Sequence, residues 1–328
     1  MTPATCDTSG PAAGVEIIDL HPRPADLRAE VLAGLSRPQA RLPSKLFYDA
    51  AGSALFERIT ELPEYYQTRT EVALLRSCAG ELSRLLGENL ALIEYGSGSS
   101  TKTRLLLETL DIATYIPVDI SRSALLEAAR GLAERFPRLR LLPIVGDYAQ
   151  IEAFPDTGCR ERVAFFPGGT IGNFTPRQAV RALRGIARTL GPGGRLIIGV
   201  DLKKDPALLH AAYNDAAGVT ARFNFNLLIR LNRELDADFD TTGWRHYAPY
   251  VPGRGRIEMH LVSAVDQQAR VAGTLFDFPC GRSIRTEISC KYTPAEFQRL
   301  AVNAGFTSER LWIDTAGLFS VHLLRAQG

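Results

Sequence analysis

The sequence has few of the residues that build metal centres and disulfide frameworks. Its five cysteines are odd in number and show no C-x-x-C spacing, and its five histidines show neither H-x-H nor H-E-x-x-H spacing. This pattern argues against a disulfide framework and a zinc cluster, so we expect no metal and a reducing, cytoplasmic environment. The cysteines are Cys6, Cys78, Cys159, Cys280 and Cys290.

Long apolar runs and an excess of charge of one sign are also missing. The sequence has no run of about 18 apolar residues, so we expect no membrane span. The formal net charge is +2 and no basic block interleaves with aromatic residues, so we expect no nucleic-acid partner. Met1–Gly14 lacks the charged start and apolar centre of a signal peptide and is expected to be a disordered leader, residues 1–14. We expect a monomer that acts on a small molecule.

A glycine-rich turn follows a short apolar run between Leu90 and Lys102, read as LALIEYGSGSSTK. The run predicts a strand, and the turn before a helical pattern can bring backbone N–H groups close to a ligand. A pyrophosphate-binding turn needs a third glycine, where this chain has Thr101. An acid before the glycines suits a nucleoside that carries an amino acid, such as S-adenosylmethionine. An ordinary strand-to-helix turn is the alternative.

Strands and helices then alternate as far as Asp201, with Leu139–Val145 among the expected strands and Pro176–Leu190 among the expected helices. This alternation predicts a parallel, doubly wound sheet. Ligands bind at the carboxyl ends of such strands, where this chain repeatedly has an acid. Asp119 is placed to accept hydrogen bonds from a ribose diol, and Asp147 from an adenine amino group. Tyr148 can stack on the base, and Lys102 can pair with a ligand carboxylate. A helix N-cap is the alternative for each acid.

The alternation stops after Asp205. Leu208–Asn232 predicts one long helix, and Arg256–Val265, Val271–Phe278 and Ser283–Tyr292 predict strands. Thr293, with Glu296 three residues later, predicts a capping box at the start of a helix. Residues 203–286 therefore have the pattern of an insertion before the last part of the sheet.

These motifs together resemble a known family, the S-adenosylmethionine-dependent L-histidine Nα-methyltransferases of ergothioneine biosynthesis, which form hercynine. The resemblance extends from about Leu42 to Leu324 and is far more specific than G-x-G alone. The matching motifs are Phe47-Tyr48-Asp49, Leu62–Arg69, Glu94–Gly98 with Lys102, Pro167–Phe174, Tyr213–Thr220, Asn232–Leu235 and Thr286–Lys291.

The resemblance implies an α/β fold, a Rossmann-like class I methyltransferase with a second, smaller α+β substrate domain. The expected division is 15–65 for the N-terminal part of the substrate domain and 66–202 for the methyltransferase domain. Residues 203–286 would form the substrate-domain insertion, and 287–328 the C-terminal part of the methyltransferase domain.

The resemblance also implies site residues. Those that would hold S-adenosylmethionine are Gly96, Lys102, Asp119, Asp147 and Tyr148. Those that would hold the amino-acid substrate are Tyr65, Asn173, Tyr213, Met259, Glu287, Ile288 and Ser289. The residues expected at the reacting amine and carboxylate are Tyr48, Asn173 and Tyr213. This chain departs from the family at Tyr148, often Phe, and at Gln67, often Pro.

Glu287 and Ser289 are two apart on a predicted strand and so share a face. A carboxylate beside a hydroxyl suits the two nitrogens of an imidazole, which favours histidine as the acceptor. The resemblance implies three methylations of one nitrogen, and aromatic faces from Tyr48, Tyr65 and Phe47 could line a pocket for the growing cation. Two alternatives remain open: an enzyme for another amine such as tryptophan, and a noncatalytic adenosylmethionine-binding partner.

Overall fold

The computed structural model describes residues 17–20, 24–96, 101–120, 122–146, 151 and 153–327. The predicted leader and the predicted cofactor residues Asp147 and Tyr148 lie outside these ranges. The described helices are α1 Pro24–Leu35, α2 Ala50–Thr60, α3 Tyr66–Leu86, α4 Thr101–Thr109, α5 Arg122–Arg135, α6 Pro176–Leu190, α7 Pro206–Tyr213, α8 Val219–Glu234 and α9 Pro294–Asn303.

The strands fall into a large sheet, a small sheet and a hairpin. The strands are β1 Ile18–Asp19, β2 Ala40–Arg41, β3 Leu90–Tyr95, β4 Ile112–Asp119, β5 Arg140–Leu141, β6 Ile144–Val145, β7 Glu161–Phe166, β8 Arg195–Asp201, β9 Trp244–Tyr247, β10 Tyr250–Val251, β11 Arg256–Ser263, β12 Gln267–Val271, β13 Thr274–Phe278, β14 Ser283–Cys290, β15 Phe306–Ile313 and β16 Phe319–Ala326.

The large sheet has the order β1-β6-β4-β3-β7-β8-β16-β15, with β5 paired to β4. Strands β3, β4, β7 and β8 are parallel, whereas β16 runs antiparallel to β8 and to β15. Buried apolar side chains cover both faces, with α6 and α9 packed on one face and α3, α4 and α5 on the other. This is the Rossmann-like arrangement of a class I methyltransferase, as expected. The chain order reverses between β3 and β7, which is where such sheets bind ligands.

The small sheet has the order β10-β11-β14-β2, with β9 paired to β11. Strand β2 comes from the N-terminal segment and β9–β11 come from the insertion, and α2 packs against α8 beside them. Two features cross the predicted domain division. Strand β14 runs through the boundary at residue 287, and β1 pairs with β6 of the large sheet. The division between the two lobes remains a prediction.

Three predicted elements are wrong because turn chemistry interrupts them. The expected strand Leu139–Val145 is two short strands, with Pro143 between them. The expected helix Leu208–Asn232 is α7 and α8, because Gly218 adopts a left-handed φ of 65° and Asp215 accepts hydrogen bonds from Val219 N and Thr220 N. The expected strand Val271–Phe278 is a hairpin that turns at Ala272 and Gly273, with φ of 50° and 85°.

The capping box predicted at Thr293 and Glu296 is confirmed at the start of α9. Among the described residues, none of the helices has the length and apolar character needed to cross a membrane.

Candidate active site

Two glycine turns meet where the chain order of the large sheet reverses. Gly96 follows β3 with a φ of 78°, and Gly168 and Gly169 follow β7 with φ of 79° and 66°. Among the described residues, a β-carbon added to Gly96 would meet no atom within 4 Å, whereas one added to Gly168 would lie 3.4 Å from Lys102 Nζ. The Lys102 ammonium therefore lies against the second glycine turn.

Lys102 is held by a buried acid that was not among the predicted site residues. Glu71 of α3 lies 2.5 Å from Lys102 Nζ and accepts hydrogen bonds of 2.9 Å from the backbone N–H of Gly168. Its side chain is fully buried, and any side chain at Gly199 of β8 would overlap it. Glu71 therefore links the two glycine turns. Glu71 lies on an apolar helix face, four residues after Gln67. This local pattern does not predict its contacts with Lys102 and Gly168.

The acid before the first turn has an internal role. Glu94 accepts hydrogen bonds from Thr103 Oγ1, at 2.5 Å, and from Tyr115 Oη. Burial raises the pKa of its carboxyl to about 7, although both hydroxyls favour the charged form. Glu94 thus ties β3 to α4 and β4, and it is 1% exposed. Asp119, at the end of β4, is half-buried at the same edge of the sheet.

A cavity opens between the two sheets, and most of the predicted substrate residues line it. Phe56, Ile59 and Thr220 also line it, together with Gly168–Thr170, Ala212 and Phe223. The predicted residues that the structure brings together here are Tyr48, Tyr65, Asn173, Tyr213, Met259, Glu287 and Ser289.

Two expected pocket residues lie elsewhere. Ile288 is on the opposite face of β14 from its neighbours, and its side chain packs against the core beneath the large sheet. Phe47 is fully buried and stacks on Phe223, with ring centroids 4.4 Å apart. Phe56 lines the cavity in its place, edge-on to Tyr48 at 5.8 Å and to Tyr65 at 6.3 Å.

Strand β14 organises the cavity. Glu287 and Ser289 share one face of the strand, and Met259 of β11 is directly opposite Glu287 in the antiparallel register. Tyr213 ends α7 and donates a hydrogen bond of 2.8 Å to Ser289 Oγ. Asn173 ends the short 3₁₀ turn Thr170–Asn173, which packs against β14.

Gly172 makes this packing possible. A β-carbon at Gly172 would lie 2.8 Å from the carbonyl oxygen of Cys290 and 3.3 Å from Ser289 Oγ. Gly172→Ala is therefore expected to push Asn173 away from β14 and lower kcat/KM by about 100-fold, the effect of a misplacement of about 1 Å. Gly185→Ala is the matched control, because a β-carbon at Gly185 meets nothing within 4 Å. Steady-state kinetics of both variants test this, and equal activity would contradict it.

A buried ionic network lies behind Ser289. Lys291 Nζ donates to Asp201 Oδ2 at 2.6 Å, to Ser289 Oγ at 2.7 Å and to Tyr213 Oη at 3.0 Å. Asp201, at the end of β8, also accepts from Tyr66 Oη and from Lys204 Nζ. Lys291 was not among the predicted site residues, although the two-residue spacing of 287, 289 and 291 places it on the same strand face.

The cavity's titratable groups are strongly affected by burial. Burial raises the pKa of Glu287 to about 7, and Lys291 opposes this only in part. Burial also raises the pKa of Tyr213 and Tyr65, so both phenols are neutral donors. Burial acts in the same direction on Asp201, but Lys291 and Lys204 outweigh it and lower the pKa of this carboxyl. Within the described ranges, no group of three or more His, Cys, Asp or Glu side chains is arranged to hold a metal ion.

Comparison with known sequences gives one family and several characterised relatives. Residues 27–326 match the family described as histidine-specific methyltransferase, SAM-dependent. Histidine N-alpha-methyltransferase of Mycolicibacterium smegmatis is 41% identical over 304 residues, covering 90% of this chain and 94% of the relative. The Mycobacterium tuberculosis protein of the same name is 38% identical with the same coverage. Ergothioneine biosynthesis protein 1 of Neurospora crassa is 30% identical, covering 95% of this chain and 36% of the relative.

The two parts of this family description, SAM-dependent and histidine-specific, agree with two features of the structure. The glycine turns lie at the reversal point of a class I methyltransferase sheet, and the polar cavity lies beside them. The chain belongs to the family of S-adenosylmethionine-dependent, histidine-specific methyltransferases.

Proposed function

We propose that this protein transfers three methyl groups from S-adenosylmethionine to the α-amino nitrogen of L-histidine, giving hercynine in ergothioneine biosynthesis. One observation carries the choice of acceptor. Glu287 and Ser289 face one cavity from one strand, next to Tyr213 and Asn173. Family membership and the two mycobacterial relatives support the same reaction.

The first glycine turn fits the methyl donor. Among the described residues, no atom fills the space next to Gly96, so we propose that the ligand approaches the backbone there and that Lys102 Nζ pairs with the donor's carboxylate. Asp119, at the end of β4, is proposed to bind the ribose diol, and Asp147 and Tyr148 are proposed for the adenine from the family resemblance alone. S-adenosylmethionine supplies the electrophilic methyl group, and we propose no metal.

The cavity between the two sheets fits an amino acid. Asn173 and Tyr213 are proposed to bind the α-carboxylate, which directs the amine toward the glycine turns. Glu287 and Ser289 are proposed to bind the two ring nitrogens, with Met259 packed on the ring. The amine must be neutral to attack the methyl group. We expect most of the rate to come from the orientation of the amine toward that group.

Aromatic side chains surround the proposed position of the amine. Tyr48 is proposed to contact it directly or through water, and Tyr65 and Phe56 complete the wall. Ring faces attract a quaternary ammonium. Such a wall suits a cation that grows by successive methylation.

The test is incubation of the protein with isotopically labelled S-adenosylmethionine and each of the twenty amino acids, with the products resolved by mass. Trimethylation of histidine alone is expected. Transfer to tryptophan but not histidine would favour the alternative of another aromatic acceptor, although an indole has no use for the Glu287 and Ser289 pair. Absence of transfer to any amine would favour a noncatalytic binding protein.

Glu71 offers a separate test of the donor site. Glu71→Gln removes the charge that holds Lys102 but keeps an acceptor for Gly168. We expect the Kd of S-adenosylhomocysteine to rise about 10-fold, consistent with loss of a charge-assisted hydrogen bond worth about 1.5 kcal/mol. Calorimetric titration measures this. Glu81 lies on the outer part of the same helix and pairs with Arg310. Glu81→Gln should bind S-adenosylhomocysteine with the wild-type Kd. Equal binding by both variants would contradict the role of Glu71.

The protein is proposed to act in the cytoplasm, which its scattered free cysteines support, and to act as a monomer.

A further inference from the structure

The backbone of Tyr213 is held by a side chain from outside the cavity. Tyr213 is the last residue of α7, and a carbonyl in the last turn of a helix has no acceptor role within that helix. His246 of β9 supplies a donor to it, because its Nε2 lies 2.9 Å from the Tyr213 carbonyl oxygen. The phenol of the same tyrosine lines the cavity, whereas His246 is not among the lining residues.

The contacts of the His246 ring fix which nitrogen carries its proton. A backbone carbonyl can only accept, so Nε2 donates to Tyr213. Nδ1 lies 2.9 Å from the amide nitrogen of Asn224, which also lies 3.0 Å from the backbone carbonyl oxygen of His260. That carbonyl fixes the orientation of the amide, so Asn224 donates to it and to Nδ1. His246 is therefore a neutral ring that is protonated at Nε2.

This group of hydrogen bonds is buried and extends to strand β14. Asn224 of α8 is fully buried, and its Oδ1 accepts a hydrogen bond of 2.7 Å from Thr286 Oγ1. Thr286 is 1% exposed and directly precedes Glu287 in β14. Burial lowers the pKa of His246, which keeps the ring neutral at pH 7. A continuous series of hydrogen bonds thus joins the end of α7 to β14.

We propose that His246 is a positioning residue, which holds the backbone of Tyr213 so that its phenol meets the α-carboxylate of the substrate. This role rests on the proposed function, in which Tyr213 binds that carboxylate. Loss of the contact between His246 and Tyr213 should weaken the binding of histidine through Tyr213 alone. It should leave the site of S-adenosylmethionine unchanged, because that site lies at the glycine turns.

Two substitutions of His246 separate its contact with Tyr213 from its contact with Asn224. Glutamine can place an amide nitrogen where Nε2 lies, whereas the shorter asparagine reaches only as far as Nδ1. We expect His246→Asn to raise the Kd of L-histidine about 5-fold, the effect of losing one hydrogen bond, and His246→Gln to stay within about 2-fold of the wild type. Calorimetric titration with S-adenosylhomocysteine bound measures both.

His210 provides the matched control. It lies on the exposed side of α7, so His210→Asn makes the same change on the same helix and should bind L-histidine with the wild-type Kd.

A double-mutant cycle separates positioning from a general loss of structure. If His246 acts through the Tyr213 phenol, His246→Asn should have little further effect once Tyr213→Phe has removed the hydroxyl. The Kd of S-adenosylhomocysteine should stay within about 2-fold of the wild type in both His246 variants. Asn224→Ala removes the partner that orients the ring, and its effect on the Kd of histidine should also disappear in Tyr213→Phe. It gives the same test if His246→Asn does not fold.

Effects that multiply in the cycle, a wild-type Kd for His246→Asn, or an equal rise in Kd for His246→Asn and His246→Gln would overturn the positioning role. Failure of the wild-type protein to bind histidine would contradict the proposed function itself, and the positioning role with it.

Discussion

Glu287→Ala is expected to raise the KM for histidine by roughly 100-fold, with a much smaller effect on S-adenosylmethionine. The carboxyl lines the cavity beside Ser289, and its loss leaves one ring N–H without an acceptor. A hydrogen bond to a charged group contributes about 1.5–3 kcal/mol, which corresponds to roughly 10- to 150-fold in affinity. Steady-state kinetics with each substrate varied in turn measure the two KM values.

Glu287→Gln provides the matched control, because its carboxamide oxygen can still accept from the ring at nearly the same size. Its KM should lie between those of the wild type and Glu287→Ala. An equal loss of histidine and S-adenosylmethionine binding in Glu287→Ala would show that this residue does not belong to the acceptor site.

Glu287→Gln should raise the free energy of unfolding although it weakens histidine binding. Burial raises the pKa of Glu287 to about 7, so the folded state holds this proton at pH values where the unfolded chain has released it. The Glu287 carboxyl therefore destabilises the folded state progressively as the pH rises from the ordinary pKa of a glutamate through 7. At about pH 8, Glu287→Gln should resist urea better than the wild type while binding histidine less well.

Asp201→Asn is expected to lower the free energy of unfolding by about 3–5 kcal/mol, the usual effect of removing one partner of a buried ion pair. Its carboxylate is the shared counter-ion of Lys291 and Lys204, whose side chains are 1% and 4% exposed. Without it, two buried ammonium groups face each other across an amide. Urea unfolding followed by circular dichroism measures the change.

An exposed ion pair offers the contrast. Glu108→Gln breaks the pair with Arg135 on the surface, where such pairs contribute about 1 kcal/mol or less. Adding Lys204→Met to Asp201→Asn removes one of the two uncompensated charges and should recover part of the lost stability. If Asp201→Asn were no more destabilising than Glu108→Gln, the buried network would not stabilise the interface between the two sheets.

The elements that the sequence predicted well are those defined by local pattern. Strand β3 is the apolar run Leu90–Tyr95, and α6 spans Pro176–Leu190 as expected. The shared face of Glu287 and Ser289 follows from the two-residue period of a strand alone. Asn173 and Tyr213 needed the family resemblance, since neither has a local pattern that indicates a ligand.

The parts that were missed depend on contacts between distant segments. Tyr66 and Asp201 are 135 residues apart, and Asp201 and Lys291 are 90 apart, yet they share one buried network. Glu71 reaches Gly168 across 97 residues. No local periodicity encodes such pairs. Ile288 shows that neighbours in sequence need not share a site, because its side chain lies on the other face of the strand from Glu287.

The most direct test of the proposed function is a crystal structure of the protein with L-histidine and S-adenosylhomocysteine. We expect the ring between Glu287 and Ser289, the α-carboxylate on Asn173 and Tyr213, and the amine facing the sulfur near the Gly96 turn. A histidine ring bound away from Glu287 and Ser289, or an amine directed away from the sulfur, would contradict it.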